Sequence, residues 1–275
     1  MFDEIAAEYD HHRPAYPDAL IDRACEVSSL ARGATVLEIG CGTGQLTRSL
    51  LARGLRVTAV EPGKRLITRA RDQLADDGEV QFVNARLEEA RLPHARYEAV
   101  FSASAIQWVD PDVSWHMVAD ALTDNGTLAL VSYFGVEDLR SSEDQQAFRA
   151  ALARIAPELA GDWPSYRDLD GTRAGAAQRR GNVSELWAWL GGYEVARGYV
   201  SDLFEDAQLS AMPVLVEHTG DALNGLLGTM SFWARLSPRQ RDALLAENHA
   251  LHQRLGRSIR ASTVACLVTA RRQRT

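Results

Sequence analysis

The chain has 275 residues, 46% of them hydrophobic and 24% charged, enough to bury a full core as one large domain or as a domain carrying a sizeable insertion, and the second is expected. No apolar run nears the ~18 residues of a membrane span, and a formal net charge of −7 gives no global field for a phosphate backbone; a membrane or nucleic-acid partner is not expected, Arg179 and Arg180 being the best local basic candidates. Cys25, Cys41 and Cys266 are odd in number and lack any CxxC or His-rich spacing, which speaks against a disulfide framework and against a metal site.

The opening MFDEIAAEYDHHRPAYP is polar and acidic where a secretory signal is basic and then apolar, so a cytoplasmic location is expected. Ile5, Ala6 and Tyr9 recur at helical spacing, Pro14 and Pro17 punctuate, and Leu20, Ile21, Ala24 and Val27 begin a second helix, making residues 1–34 a helical lead-in. From Thr35, TVLEIG reads as a strand followed by a helix with Leu46, Leu50 and Leu51, closed by Gly54. RVTAVEP is the next strand, and a helix from Lys64 to Ala75 then puts Leu66, Ile67, Ala70 and Leu74 on one face. VQFVNA, YEAVFSAS and GTLALVSYF are three further β-rich runs, separated by segments long enough for crossovers.

After Gly135 the texture turns to helices and loops with no strand before about Val195, so residues 135–195 are expected to form an inserted helical cap that contributes to a substrate pocket. MPVLVEHT and STVACLVTA then bracket a helical stretch in which Ser237 can N-cap and Pro238 takes the first helical position. The expected fold is α/β and Rossmann-like: a doubly wound, mostly parallel seven-stranded sheet built from residues 1–134 and 196–275, interrupted by the cap.

Within VLEIGCGTG, Gly40, Gly42 and Gly44 follow the first strand directly and let a ligand approach the backbone. A dinucleotide site needs G-x-G-x-x-G, but the position of the third glycine is Gln45 here. Glu38 lies inside the strand, and Glu61 closes the second strand about 20 residues after the first glycine, where an acidic group takes ribose hydroxyls.

VLEIGCGTG together with VEPG and SASAIQWVD resembles the class I S-adenosylmethionine-dependent methyltransferases, closest to the small-molecule branch of trans-aconitate methyltransferase-like proteins. The resemblance covers residues 1 to about 134 and implies a role for each matched stretch. The backbone of Gly40, Cys41 and Gly42 approaches the methionine part of S-adenosylmethionine, Gly44 of the same turn is a further cofactor-binding candidate, Glu38 supports the turn or the cofactor, and Glu61, with Pro62 beside it, takes the ribose. Relatives often hold the adenine amino group with an acid after the third strand; NARLEE departs from this, leaving Arg86, Leu87 and Glu88 as candidates. Ser102 and Ala103 begin the segment under the methionine, which continues to Gln107 and Trp108. The lead-in resembles a lid in which Tyr9, Arg13 and Tyr16 close over the cofactor, Arg13 being suited to its carboxylate.

Gln107, Tyr16 and His218 are the catalytic candidates; His218, beside Glu217 at a predicted strand end, can serve as a base or be a surface histidine near a turn, and His11 and His12 read as a polar loop. Methyl transfer from a sulfonium disperses charge, so orientation and exclusion of water can suffice. The expected protein is therefore a methyltransferase that converts S-adenosylmethionine to S-adenosylhomocysteine on a small-molecule acceptor, in specialised biosynthesis, as a monomer or homodimer. A nucleic-acid methyltransferase, and a protein that binds S-adenosylmethionine without transfer, stand as alternatives.

Overall fold

The computed structural model describes residues 2–160, 167–191 and 202–273. In chain order, α1 (Ala6–His12) and α2 (Asp18–Val27) precede β1 (Thr35–Ile39), α3 (Gln45–Ala52), β2 (Arg56–Val60), α4 (Lys64–Gln73), β3 (Val80–Val83) and β4 (Tyr97–Ala103). There follow α5 (Pro111–Ala121), β5 (Leu122–Gly135), α6 (Ser142–Ile155), α7 (Pro157–Ala160), α8 (Leu169–Ala177) and α9 (Val183–Gly191). The chain then runs through β6 (Phe204–His218), α10 (Gly220–Gly228), α11 (Pro238–Leu255) and β7 (Ile259–Arg272).

The seven strands lie in the order β3-β2-β1-β4-β5-β7-β6. The four pairings from β3 to β5 are parallel, so the expected Rossmann-like, mostly parallel sheet is present. Chain direction across the sheet reverses between β1 and β4, and in open α/β sheets the crevice outside the carboxyl ends of the strands at such a point is where ligands bind. Register brings those ends level: Ile39 pairs with Val60 on one side and with Ser102 on the other.

The chain packs as two compact units. The larger comprises Ala15–Phe134, Asp170–Met212 and Ala265–Thr275. Its core holds Leu37, Ile39, Val60, Val100, Leu128 and Leu130 from the sheet, with Trp115 and Val118 of α5 and Leu186 and Trp187 of α9; each such fully buried Leu or Val contributes roughly 1.5–3 kcal/mol. The two tryptophans of α9 are both used in packing: Trp187 meets Phe134 edge-on at 5.6 Å, and the Arg179 guanidinium sits 4.5 Å from the ring centre of Trp189.

The smaller unit takes the described residues before Ala15 together with Gly135–Leu169 and Pro213–Val264. Here Ala151, Leu152 and Leu159 pack on Leu236 and Leu244, while Leu223, Leu227 and Leu251 gather around Ile259. Helix α11 begins as its sequence predicts, the Ser237 hydroxyl accepting the Gln240 N–H in a capping box with Pro238 at the first position. The carboxylate of Asp144, 1% exposed, accepts both arms of Arg257 at 2.7 and 2.9 Å and the Arg260 N–H at 2.7 Å. The stretch 135–195, read from sequence as one cap, contributes α6 and α7 to this unit and most of α8 and all of α9 to the larger one; the expected strand start near Val195 lies outside the described residues.

Candidate cofactor site at the carboxyl edge of the sheet

The chain leaves β1 through three residues that only glycine suits. Gly40, Gly42 and Gly44 have φ of +71°, +57° and +92°, the left-handed region closed to most side chains. Gly40 is confined further, because a Cβ there would stand 2.3 Å from the Ala105 Cβ of the segment after β4. Backbone bonds pin the turn: the Gly40 and Cys41 N–H groups donate to the Val60 carbonyl at 2.8 and 3.2 Å, and the Gly44 N–H donates to Cys41 at 2.9 Å.

Glu61 follows β2 directly. Its carboxylate, 6% exposed, accepts the Gly42 N–H at 3.0 Å through one oxygen and the Gly63 N–H at 2.7 Å through the other. Asn84, just past β3, donates to the carbonyls of Glu61 and Pro62 at 2.8 and 3.1 Å, fixing the loop that carries the acid. Beneath the turn, Glu38 is buried and accepts the Thr47 hydroxyl at 2.6 Å. Burial raises its carboxyl to about 7, against the lowering effect of the Thr47 bond and with a further push from the Glu61 charge. The Cys41 thiol is driven well above its ordinary value by burial and by the two neighbouring acids, so it is a neutral lining group and not a nucleophile.

The edge continues after β3 and β4. Leu87 is buried, whereas Glu88 accepts the Asp110 N–H at 3.2 Å and pairs with Arg86 at 3.4 Å; a bond to its own backbone N–H, with Asp110 and Arg86 assisting against desolvation, holds its carboxyl below the usual range. The Ser102 hydroxyl donates to Ile39 at 3.1 Å, tying β4 to β1 beside Ala103. Ser104 follows with φ +52°. Its hydroxyl lies 3.1 Å from that of Tyr16 and 2.8 Å from that of Ser132, and the Gln107 amide nitrogen donates to its carbonyl at 2.8 Å. The rings of Tyr16 and Tyr133 stack at 5.4 Å and 12°, and the Tyr133 hydroxyl donates to the Ala15 carbonyl at 2.7 Å.

Fourteen of the seventeen sequence-expected site residues thus lie in the larger unit along one edge of the sheet: Tyr16, Glu38, Gly40, Cys41, Gly42, Gly44, Glu61, Pro62, Arg86, Leu87, Glu88, Ser102, Ala103 and Gln107. Tyr9, Arg13 and His218 belong to the smaller unit. There Arg13 donates to the Thr229 carbonyl at 2.7 Å with its guanidinium 5.0 Å from the centre of the Tyr9 ring, and burial lowers the pKa of His218, keeping the ring neutral. Thr47, Asn84, Ser104, Ser132 and Tyr133 were not singled out from sequence; the usable signal was position, since Ser104 and Ser132 stand where β4 and β5 reach the same edge as the glycine turn.

Residues 37–130 match the family model described as a methyltransferase domain, a span that runs from β1 into β5. An uncharacterized methyltransferase of Mycobacterium tuberculosis is 35% identical over 130 residues, which is 47% of this chain and 51% of that protein; the chain spans about half the length of the curated relatives it matches. Among solved structures, a provisionally assigned type II methyltransferase of Anaeromyxobacter dehalogenans superposes with a TM-score of 0.61 at 23% identity, covering 94% of this chain and 97% of that one. The phosphoethanolamine N-methyltransferase 2 of Haemonchus contortus, solved with S-adenosyl-L-methionine, gives 0.51 at 16% identity, over 98% of this chain and 57% of that one. The chain shares the fold of these solved methyltransferases, and the stretch that matches the methyltransferase-domain model is the one that carries the glycine turn and Glu61.

Proposed function

We propose that the protein is an S-adenosylmethionine-dependent methyltransferase of class I, acting on a small-molecule acceptor. The observation that carries this reading is Glu61: a buried carboxylate at the switch point of the sheet, held by the N–H groups of Gly42 and Gly63 beside a turn of three left-handed glycines. Such a carboxylate suits a free ribose diol, while the missing third glycine of the dinucleotide spacing removes the usual pyrophosphate seat. The methyltransferase domain over the same residues, and the S-adenosyl-L-methionine complex of a structural neighbour whose named acceptor is small, support it.

When bound, S-adenosylmethionine supplies a methyl group activated on a sulfonium. The part left to the chain is placement. Glu61 would take the ribose, the backbone from Gly40 to Gly42 would border the methionine portion, and Ser102, Ala103 and Gln107 would lie on the side where an acceptor must stand for in-line attack. A small acceptor fits the charge pattern better than a nucleic acid: net charge is −7, and the two arginines read as a local basic patch are matched by acids, Arg179 by Glu185 at 3.5 Å and Arg180 by Asp206 at 3.6 Å. Titration calorimetry with S-adenosylmethionine, S-adenosylhomocysteine and NADH on wild type and Glu61→Ala tests the proposal. Binding of the first two that is lost on substitution is expected; NADH preferred over both, or no binding of any, would overturn it.

A further inference from the structure

The loop of Glu61, Pro62 and Gly63 leads from β2 into α4 and carries the candidate ribose acid, and its own donors are spent at once. The Glu61 N–H closes the β2–β3 ladder on the Val83 carbonyl at 3.0 Å. Pro62 has no N–H to give, and the Gly63 N–H goes to the Glu61 carboxylate at 2.7 Å. The carbonyls of Glu61 and Pro62 are both taken by one side chain: Asn84 Nδ2 donates to the first at 2.8 Å and to the second at 3.1 Å. Both hydrogens of the amide are thereby used, and the flipped amide would set its oxygen against two carbonyl oxygens, which fixes its orientation. Register explains the reach. Val60 pairs with Val83, so Glu61 and Asn84 stand level as the first residues beyond their strands, and the side chain carries the pairing one step past the ladder.

We infer that Asn84 is a positioning residue for the sugar of the cofactor: by clamping the Glu61 and Pro62 carbonyls it aims the Glu61 carboxylate at a pair of ribose hydroxyls, and so sets the preference for a diol. This rests on the methyltransferase reading and assigns the part of that site which selects the sugar. Gly63 moves with the loop it belongs to, whereas Gly42 holds Glu61 from the β1 side at 3.0 Å and Asn84 holds it from the β3 side. A carboxylate meets two neighbouring hydroxyls through both oxygens at one orientation only, because hydrogen bonds weaken steeply as their angle opens. Bonds to a charged group are the stronger ones, so a misaimed carboxylate forfeits more than a misaimed neutral acceptor. Asn84 is itself exposed. Water can therefore replace it on the two carbonyls without an unsatisfied group being left behind, but a water does not tie the loop to β3. Its removal is felt in ligand selection more than in folding.

The test titrates the full chain calorimetrically with S-adenosylhomocysteine and with its analogue lacking both ribose hydroxyls, in wild type, Asn84→Ala and Asn84→Asp, and measures the urea midpoint of each. Wild type is expected to prefer the diol by at least about tenfold, the worth of a hydrogen bond to a charged group. Asn84→Ala should weaken S-adenosylhomocysteine by about tenfold and the deoxygenated analogue by no more than about twofold, so that the preference shrinks by about fivefold while the urea midpoint stays close to that of wild type. Asn84→Asp keeps the shape, removes the donors and sets an oxygen against the two carbonyls, and should weaken S-adenosylhomocysteine at least as much. A diol preference unchanged in Asn84→Ala, both ligands weakened equally as a general loosening would give, or Asn84→Asp binding S-adenosylhomocysteine as wild type does would overturn the inference while leaving the cofactor reading intact. A wild type that binds neither ligand, or both alike, would instead sink the ribose role of Glu61 and this inference with it.

Discussion

Glu61 and Gly42 join the ends of two neighbouring strands: the carboxylate after β2 accepts, at 3.0 Å, the N–H of the glycine turn after β1. Its other oxygen accepts the Gly63 N–H at 2.7 Å, so one side chain orders both loops of the candidate cofactor site before any ligand arrives. Glu61→Ala should therefore do two kinds of damage, removing the diol acceptor and releasing two N–H groups that a hydrogen bond worth about 1–3 kcal/mol each had held. The expected result is at least a hundredfold loss of S-adenosylhomocysteine affinity by calorimetry, with Glu61→Gln intermediate because the amide keeps one acceptor oxygen. Equal affinity in wild type and Glu61→Ala would remove Glu61 from the site.

Gly40 is the least replaceable residue of the turn. Its φ of +71° already disfavours any side chain, and the Cβ of alanine would lie 2.3 Å from the Cβ of Ala105, against which neither backbone can yield cheaply. Gly40→Ala is expected to cost about 2–4 kcal/mol from left-handed strain and overpacking together, read as a fall in the urea midpoint, and to abolish cofactor binding by displacing the segment from Ser104 to Gln107. Gly33→Ala, at φ +82° with no atom within 4 Å of the added Cβ, carries the backbone strain alone and should lose clearly less.

The first half of the sheet was legible because its signals are local. Strand, glycine turn and the acid after β2 lie within 30 residues, and apolar periodicity alone places Leu66, Ile67 and Ala70 on the buried face of α4. The second half depends on pairing. The start of β5 reads as a polar turn, LTDNG, yet Leu122 pairs with Tyr97 across an irregular register, so neighbouring chain overrides propensity. β6 starts well before the MPVLVEHT run and contains Pro213, which is admissible because β6 is the outermost strand. The site divides the same way. Gly40 to Glu61 could be read in one pass, but the hydroxyl contact of Tyr16 with Ser104 spans 88 positions, and the bond from Arg13 to Thr229 spans 216; no spacing rule reaches that far.

Glu38 makes stability depend on pH in a stated direction. Its carboxyl rises from 4.5 to about 7 on folding, led by burial, so between those values the native state holds a proton that the unfolded chain releases. The contribution is fully present below about pH 4.5 and is lost as pH rises through 7, amounting to at most about 3 kcal/mol for a shift of this size. Glu38→Gln keeps a carbonyl oxygen to accept the Thr47 hydroxyl and cannot ionise, so its stability relative to wild type should increase from pH 5 to pH 8. Urea unfolding of both proteins across that range is the check, and parallel curves would show that Glu38 does not titrate there.

Asp144 predicts the opposite slope in the smaller unit. Burial alone would raise its carboxyl, but the bonds from Arg257 and the Arg260 N–H outweigh it and hold it below the ordinary value. A depressed carboxyl adds stability above its unfolded pKa of about 3.9 and loses it as pH falls toward the folded value. Because the Arg257 side chain is 36% exposed, water can take over part of its solvation, and Asp144→Asn is expected to cost about 2–3 kcal/mol at neutral pH, below the 3–5 of a fully buried pair. That gap should hold from pH 8 to pH 5 and shrink below about pH 4 as wild type itself becomes protonated. Thermal unfolding followed over the same pH series would show it, and a gap that widens in acid would mean that the pair does not hold this unit together.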